Sequence, residues 1–305
     1  MAFIQSFGRY LPERVLGNAE LARLLGCESS WILEACGIEE RRIAASDETI
    51  AILAEQAARN CLTGQQPGLV ILSSGTSERR FPGPAAQLAT RLGLAGIPAI
   101  DLPIASAGSL FAMALAAQLA PAYGTVLVAA AEKMSAPALT EPLDRNTAIL
   151  FGDGAGACLI TNEPGEFEIL DSVVHSDGAY ADDLRLDLTG PIHMDGRTVI
   201  MQASRKLPAA INEVLTRQNV APLQVDTFLL HQANRNLTER VAKAVGAPAS
   251  RFFSNIQKYG NTSSASMLIA AAEWHQTAKP DPGAKICFAA FGAGFHYGAL
   301  LTQKT

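Results

Sequence analysis

Short apolar runs rich in β-branched residues alternate along the chain with longer stretches of Ala and Leu. Leu69–Ser73 (LVILS), Ala99–Ile104 (AIDLPI) and Thr125–Ala129 (TVLVA) read as buried strands. Pro84–Leu92 and Ser109–Leu119 (SLFAMALAAQL) read as helices with small residues on one face. The rhythm returns in the second half. A strand is expected over Thr227–His231, helices near Arg235–Val245 and over Ser264–Gln276, and a strand over Ala284–Ala290. This alternation predicts α/β layers with largely buried sheets. The abundance of Ala and Gly predicts closely packed helices, with one buried between two sheets. No low-complexity linker interrupts the chain, so two similar α/β halves, residues 1–162 and 163–305, are expected in one compact body. Ala179–Asp195 is the most irregular stretch and is expected to be the largest surface excursion.

Composition narrows the function classes. With 305 residues, 49% hydrophobic and only 17% charged, the chain has ample material for a large core, which excludes intrinsic disorder. The 24 basic and 29 acidic residues give a net charge of −5 without a Lys/Arg cluster, which argues against a nucleic-acid or membrane-surface partner. No run of about 18 apolar residues and no signal-peptide pattern is present, so a cytoplasmic protein is expected. The five cysteines are odd in number and none forms a C-x-x-C pair. A disulfide framework and a cysteine zinc site are therefore not expected, and no metal is assigned.

Five short segments could carry chemistry. Ala105-Ser106-Ala107-Gly108 lies where a strand turns into a helix, so Ser106 is either an N-cap or a group held at the positive end of a helix dipole. His231-Gln232-Ala233-Asn234 ends a strand, where a His is either a satisfied core side chain or a functional group. Tyr259-Gly260-Asn261-Thr262-Ser263 is a turn entering a helix. Phe291-Gly292-Ala293-Gly294-Phe295 has glycines that permit close backbone approach or form a bulge. Phe151-Gly152-Asp153-Gly154-Ala155-Gly156-Ala157 lacks the spacing of a dinucleotide fingerprint and reads as a Gly-rich strand start that packs two sheets.

In this order the segments resemble the β-ketoacyl-acyl carrier protein synthase III family of the thiolase superfamily. The resemblance runs from Gly8–Pro12 (GRYLP) to Phe295–Gly298 (FHYG). It includes Trp31 with Gly37–Arg41 (GIEER), Thr76-Ser77, Phe81-Pro82, Asp144-Arg145, Gly152–Gly156, His175–Gly178 (HSDG), His231–Asn234 and Gly260–Ser263. It implies a five-layered αβαβα fold made of two duplicated halves. It also implies a homodimeric ketosynthase, an acyltransferase of fatty acid or polyketide biosynthesis with no permanently bound cofactor. Such an enzyme takes an acyl group from acyl-coenzyme A or acyl carrier protein and condenses it with a malonyl thioester, releasing carbon dioxide.

Roles follow by matching positions. His231 and Asn261 would stabilise the enolate left by decarboxylation, since two neutral donors suit a developing oxyanion. The backbone N–H groups of Ser106 and Ala293 would hold the acyl oxyanion. Trp31 and Arg145 would sandwich the adenine of coenzyme A, and Asn234 would contact its pantetheine arm. Arg145 is otherwise a surface salt-bridge partner. Phe81 would reach across the dimer into the neighbour's acyl pocket, or else simply pack in the core.

Three departures change the picture. A second Arg expected after the Trp is Ala35. The Arg expected beyond H-Q-A-N is Asn236, with Arg235 displaced by one residue, about 100° around a helix. Weaker coenzyme A binding, or loading from a carrier protein, is the expectation. Arg235, Arg240 and Lys243 are either an acidic carrier's docking patch or a solvated face. The third departure is Ser106, where the family has its nucleophilic cysteine. A helix N-terminus shifts a group by up to about 2 kcal/mol, enough to activate a thiol of pKa about 8.5 but not an alcohol. Ser106 would need a general base, and His231 is the one the motifs supply. Three readings stay open: a working serine nucleophile, a non-catalytic partner subunit of a heteromeric synthase, or a serine substituted to trap a complex.

Overall fold

A computed structural model describes residues 1–305. Ten strands form its main sheet: β1 (Phe3–Tyr10), β2 (Leu69–Ser73), β3 (Ala99–Leu102), β4 (Thr125–Lys133) and β5 (Asp153–Thr161), then β6 (Phe167–Ser176), β7 (Thr227–Leu230), β8 (Phe252–Phe253), β9 (Lys285–Gly292) and β10 (His296–Lys304). Their order is β8-β7-β9-β10-β6-β1-β5-β4-β2-β3. Counted within each set of five, both sets run 3-2-4-5-1. In each set the first strand lies antiparallel to the fifth and the fifth to the fourth, while the second is parallel to its neighbours. The sets meet where Phe3 and Ile4 pair with Glu168 and Phe167. The repeated order is the signature of a duplicated unit.

Two helices lie between the sets: α3 (Gly108–Tyr123) and α6 (Ser266–Ala278). The sequence predicts one such helix, and the structure has two. The reason is compositional, because α3 has no charged residue and α6 presents Met267, Leu268, Ile269, Ala270 and Ala271 in succession, all buried. A helix that is apolar on nearly every face is buried on most of them, although Leu115 and Tyr123 of α3 stay exposed. The largest apolar cluster, 30 residues, sits here, against 22 and 17 in the two outer clusters. α1 (Ile50–Cys61) and α2 (Pro84–Arg91) cover the first set from outside, and α4 (Gly196–Arg217) and α5 (Arg235–Val245) the second. Gly156 lets β5 approach α6: a Cβ there would lie 2.5 Å from Leu268 Cβ and 2.9 Å from Ile269 N. The Gly-rich run therefore packs a strand against a helix, not two sheets as expected. No helix is long and apolar enough to cross a membrane.

The expected surface excursion at Ala179–Asp195 is found: most of the stretch is exposed and Ile192 is its one buried residue. It contains a two-stranded hairpin, Leu184–Leu186 paired with Ile192–Met194, whose apolar side chains turn toward a cavity in the body of the protein. Asp182, Asp183 and Asp187 conceal that alternation in the sequence.

Candidate active site

Ser106 sits between the end of β3 and the start of α3, with φ 62°. A left-handed backbone at a non-glycine residue costs about 1–3 kcal/mol and persists only where the surroundings impose it. Two glycines let the surroundings do so. A Cβ on Gly108 would collide with Ser73 Oγ, and one on Gly292 would collide with the Ala105 carbonyl and lie 2.8 Å from Ala107 N. The N-cap position of α3 is Ala107, without a side-chain cap, so the capping explanation for Ser106 is excluded. The Ser106 N–H donates to Ser263 Oγ at 2.9 Å. One of the two donors expected for an acyl oxyanion is thus engaged by a hydroxyl, while the other belongs to Ala293, which lines the same cavity.

His231 follows the last residue of β7, its N–H bonded to the Ala289 carbonyl of β9. Its Nδ1 is 2.6 Å from Ser266 Oγ, which also accepts the Gln232 N–H at 3.0 Å. Ser266 can then donate its own proton to Nδ1, which places the ring proton on Nε2. Burial pushes the imidazole down to about 4, so the ring is neutral at pH 7. A neutral Nε2–H is a donor suited to an enolate oxygen. It is a poor base for an alcohol, and the ring's bond is to Ser266 rather than Ser106.

This depressed pKa has a consequence for stability. Below about 6.5 the unfolded chain takes up a proton at His231 that the folded chain refuses until about 4, so its contribution is present above 6.5 and lost as pH falls. Between pH 7 and pH 5 the wild-type protein is expected to lose about 2 kcal/mol more unfolding free energy than His231→Gln, measured by urea titration. Equal losses would contradict a buried neutral ring.

Asn261 is fixed by its backbone, donating to the Leu150 carbonyl at 2.9 Å and accepting from Gly152 N–H at 3.1 Å. Its Oδ1 accepts the Ser263 N–H at 2.9 Å, which leaves the amide NH₂ as the free donor. Behind this contact lies Arg41, fully buried and pushed down to about 10 by burial, bonded to the carbonyls of Leu16 and Ile149 and to Asn18 Oδ1. The G-I-E-E-R motif thus supports the Leu150–Gly152 segment that carries Asn261.

Ser106, His231, Asn261, Asn234 and Ala293 all line one apolar cavity of about 140 Å³. Met134, Phe151, Leu184, Ile192, Leu207 and Phe291 are among its walls. Asn234 Oδ1 caps α5 at Asn236 N–H, and Nδ2 donates one of its two protons to the Ala35 carbonyl. Trp31 and Arg145 lie apart from this cavity in a surface cleft, with the guanidinium carbon 5.1 Å from the indole centroid. The guanidinium lies over the indole ring, and both side chains line the cleft. Phe81 is 85% exposed, which excludes core packing. No cysteine lines the cavity, and burial pushes the Cys61 and Cys287 thiols up to about 12. None of them is placed to act at this cavity.

The site also depends on groups the sequence does not single out. Ser263 and Ser266 orient Asn261, Ser106 and His231, yet as serines near a helix start they look like caps. Glu132, fully buried at the end of β4, was within reach: it is one acid in the apolar run T-V-L-V-A-A-A-E-K.

Comparison with known proteins places the whole chain in one family. Residues 100–178 match the 3-oxoacyl-[acyl-carrier-protein (ACP)] synthase III family model, and residues 215–304 match the model of its C-terminal part. The chain is 36% identical over 303 residues to β-ketoacyl-[acyl-carrier-protein] synthase III of Aquifex aeolicus, covering 97% of each chain. It is 37% identical to the protein of that name from Gloeobacter violaceus, over 97% of this chain and 96% of the relative. The Aquifex aeolicus crystal structure superposes with a TM-score of 0.94 at 35% identity, over 99% of this chain and 100% of that one. The priming β-ketosynthase of the R1128 polyketide pathway superposes with a TM-score of 0.91 at 28% identity, over 99% of this chain and 96% of that one. The chain belongs to the 3-oxoacyl-acyl carrier protein synthase III family of condensing acyltransferases, on a thiolase-like fold.

Proposed function

We propose that this protein condenses an acyl group held at Ser106 with a malonyl thioester, using His231 and Asn261 to stabilise the enolate. The observation that carries the reading is the convergence of two neutral donors and the strained Ser106 turn on one cavity. As the malonyl carboxylate leaves as carbon dioxide, its electron pair enters the thioester enolate. The enolate oxygen accepts from His231 Nε2–H and Asn261 Nδ2–H, in an apolar site where such donors count most. The enolate carbon then attacks the acyl carbonyl on Ser106, forming the carbon–carbon bond and expelling the serine oxygen, which takes up a proton.

Ser106 has no base in contact, so its acylation is the slow step of this scheme. That favours one second reading: decarboxylation competent, condensation stalled, as in a serine substituted for the nucleophilic cysteine. Intact-mass measurement after incubation with acyl-coenzyme A and acyl carrier protein donors separates the two. An acyl adduct localised to Ser106 supports the first, and its absence with every donor supports the second.

The exposed helix α5, with Arg235, Arg240 and Lys243, is the docking face for an acidic carrier. Phe81 belongs to the interface of a homodimer. Burying one Phe on each side contributes about 3–6 kcal/mol in all, so Phe81→Asp is expected to shift the equilibrium at least about a hundredfold toward monomer. Sedimentation equilibrium checks this, and an unchanged dimer would remove Phe81 from the interface.

A further inference from the structure

Beneath the site, on the far side of the Asn261–Ser264 turn from the cavity, lies the carboxylate of Glu132. It is fully buried, does not line the cavity, and has no cation beside it. An anion in such a place is costly, and a well-packed apolar side chain ordinarily serves a core better. Its oxygens are instead filled by donors from both halves of the molecule. From the first half, Gly75 N–H donates to Oε1 and Oε2 at 3.1 and 3.0 Å, and Thr76 Oγ1 donates to Oε2 at 2.6 Å. From the second half, Ser264 donates through Oγ at 2.7 Å and through N–H at 3.3 Å, both to Oε1. Ser74 Oγ adds a longer contact at 3.4 Å.

The residue just before Ser264 in the chain does the site's work. Ser263, with φ 47°, donates its N–H to Asn261 Oδ1 and accepts the Ser106 N–H on Oγ. A left-handed serine is as expensive as the left-handed Ser106, and it is held by what anchors Ser264. The carboxylate therefore pins the one turn that decides where the Asn261 amide points and how the Ser106 turn sits. It also locks Ser106, from the first half, to Asn261, from the second.

We infer that Glu132 is a positioning residue for this active site, acting through Ser264 and Ser263 on Asn261 and Ser106 and touching no substrate. The inference rests on the enolate-stabilising role proposed for Asn261. Glu132→Gln keeps the shape but turns an NH₂ toward groups that are themselves donors, so the turn is expected to relax. A displacement of about 1 Å at a reacting group costs up to roughly a hundredfold in rate. Carbon dioxide release from malonyl-coenzyme A by the full chain is expected to fall about 10- to 100-fold in kcat, with KM within about twofold of wild type. Glu132→Asp keeps the charge and is expected to recover part of the loss. Ser264→Ala removes one charge-assisted bond and is expected to cost about tenfold, which keeps the inference testable if Glu132→Gln does not fold.

Amide hydrogen exchange gives a readout independent of turnover. In Glu132→Gln the amides of Ser106 and Ser263 are expected to exchange faster, while those of Cys158 and Leu159 in β5 are unchanged. A folded Glu132→Gln variant with wild-type kcat, a loss confined to KM, or exchange accelerated evenly through the sheet would each overturn the inference. If the wild-type protein releases no carbon dioxide, the functional reading fails, and the exchange result alone decides whether Glu132 holds the turn.

Discussion

Ser106→Cys is expected to accelerate acyl-enzyme formation from an acyl thioester by roughly 10²–10⁴-fold, the span that a positioned general base ordinarily supplies. Ser106 has the backbone strain and the helix behind it, but no base. The neighbouring imidazole is neutral, bound to Ser266, and pushed down to about 4 by burial, so it draws a proton from an alcohol poorly. A thiol needs far less help: from about 8.5, the positive end of α3 brings it into the reactive range. The expected result is an adduct that forms over minutes or hours on serine and within seconds on cysteine, followed by intact mass. Equal rates would mean that Ser106 finds a base on binding substrate. The substitution changes one atom in a turn clamped by Gly108 and Gly292, and its effect on stability is expected to be small.

The second large effect is expected at Asn261. Removing one donor from an oxyanion site ordinarily costs about 10²–10³ in kcat, and Asn261→Ala is expected to lose that much carbon dioxide release from malonyl-coenzyme A. KM should change little, because the bond strengthens as charge reaches the thioester oxygen. Asn261→Asp sharpens the test, since it keeps the size but sets a carboxylate oxygen where the enolate would form. It should be at least as slow as Asn261→Ala. A loss below threefold in both variants would remove Asn261 from the enolate site and leave it as a brace for Ser263.

Much of this molecule was legible in its sequence where local pattern governs. The apolar runs at Leu69–Ser73 and Thr227–Leu230 are strands because β-branched and aromatic residues fill them and both faces are covered. The helix Arg235–Val245 matches its expected limits because Asn234 caps it and Gly246 closes it in a left-handed turn. What escaped is non-local or disguised. The 22-residue helix α4 carries Arg197, Arg205, Lys206, Pro208, Glu213 and Arg217, and its buried stripe of Ala203, Leu207, Ala210, Ile211 and Val214 shows only when wound at helical period. The pairing of β1 with β5 joins residues about 150 apart in the chain, beyond any window of periodicity.

The site divides in the same way. Ser106, His231 and Asn261 were recognisable because each stands in a short motif at a strand or helix end, and the fold brings all three to one cavity. Trp31 and Arg145 come together in a separate cleft, the guanidinium over the indole ring. The hydroxyls of Ser263 and Ser266 carry no local signal, because a serine before a helix is ordinarily a cap. Only the folded chain sets them against Ser106 and His231. The identity of the residue at 106 was plain from the start, and the structure adds that no base accompanies it.

In the proposed reaction, one cavity both holds an acyl group at Ser106 and generates a malonyl-derived enolate beside it. The most direct test of this reaction is product analysis by mass spectrometry after incubating the protein with an acyl-coenzyme A and malonyl-acyl carrier protein. A 3-oxoacyl-acyl carrier protein, two carbons longer than the acyl donor and formed with one equivalent of carbon dioxide, is the result expected for wild type, faster for Ser106→Cys and slowed about 10²–10³-fold for Asn261→Ala. Carbon dioxide or 3-oxoacyl product formed as fast by Asn261→Ala as by wild type, or neither formed even by Ser106→Cys, would contradict it.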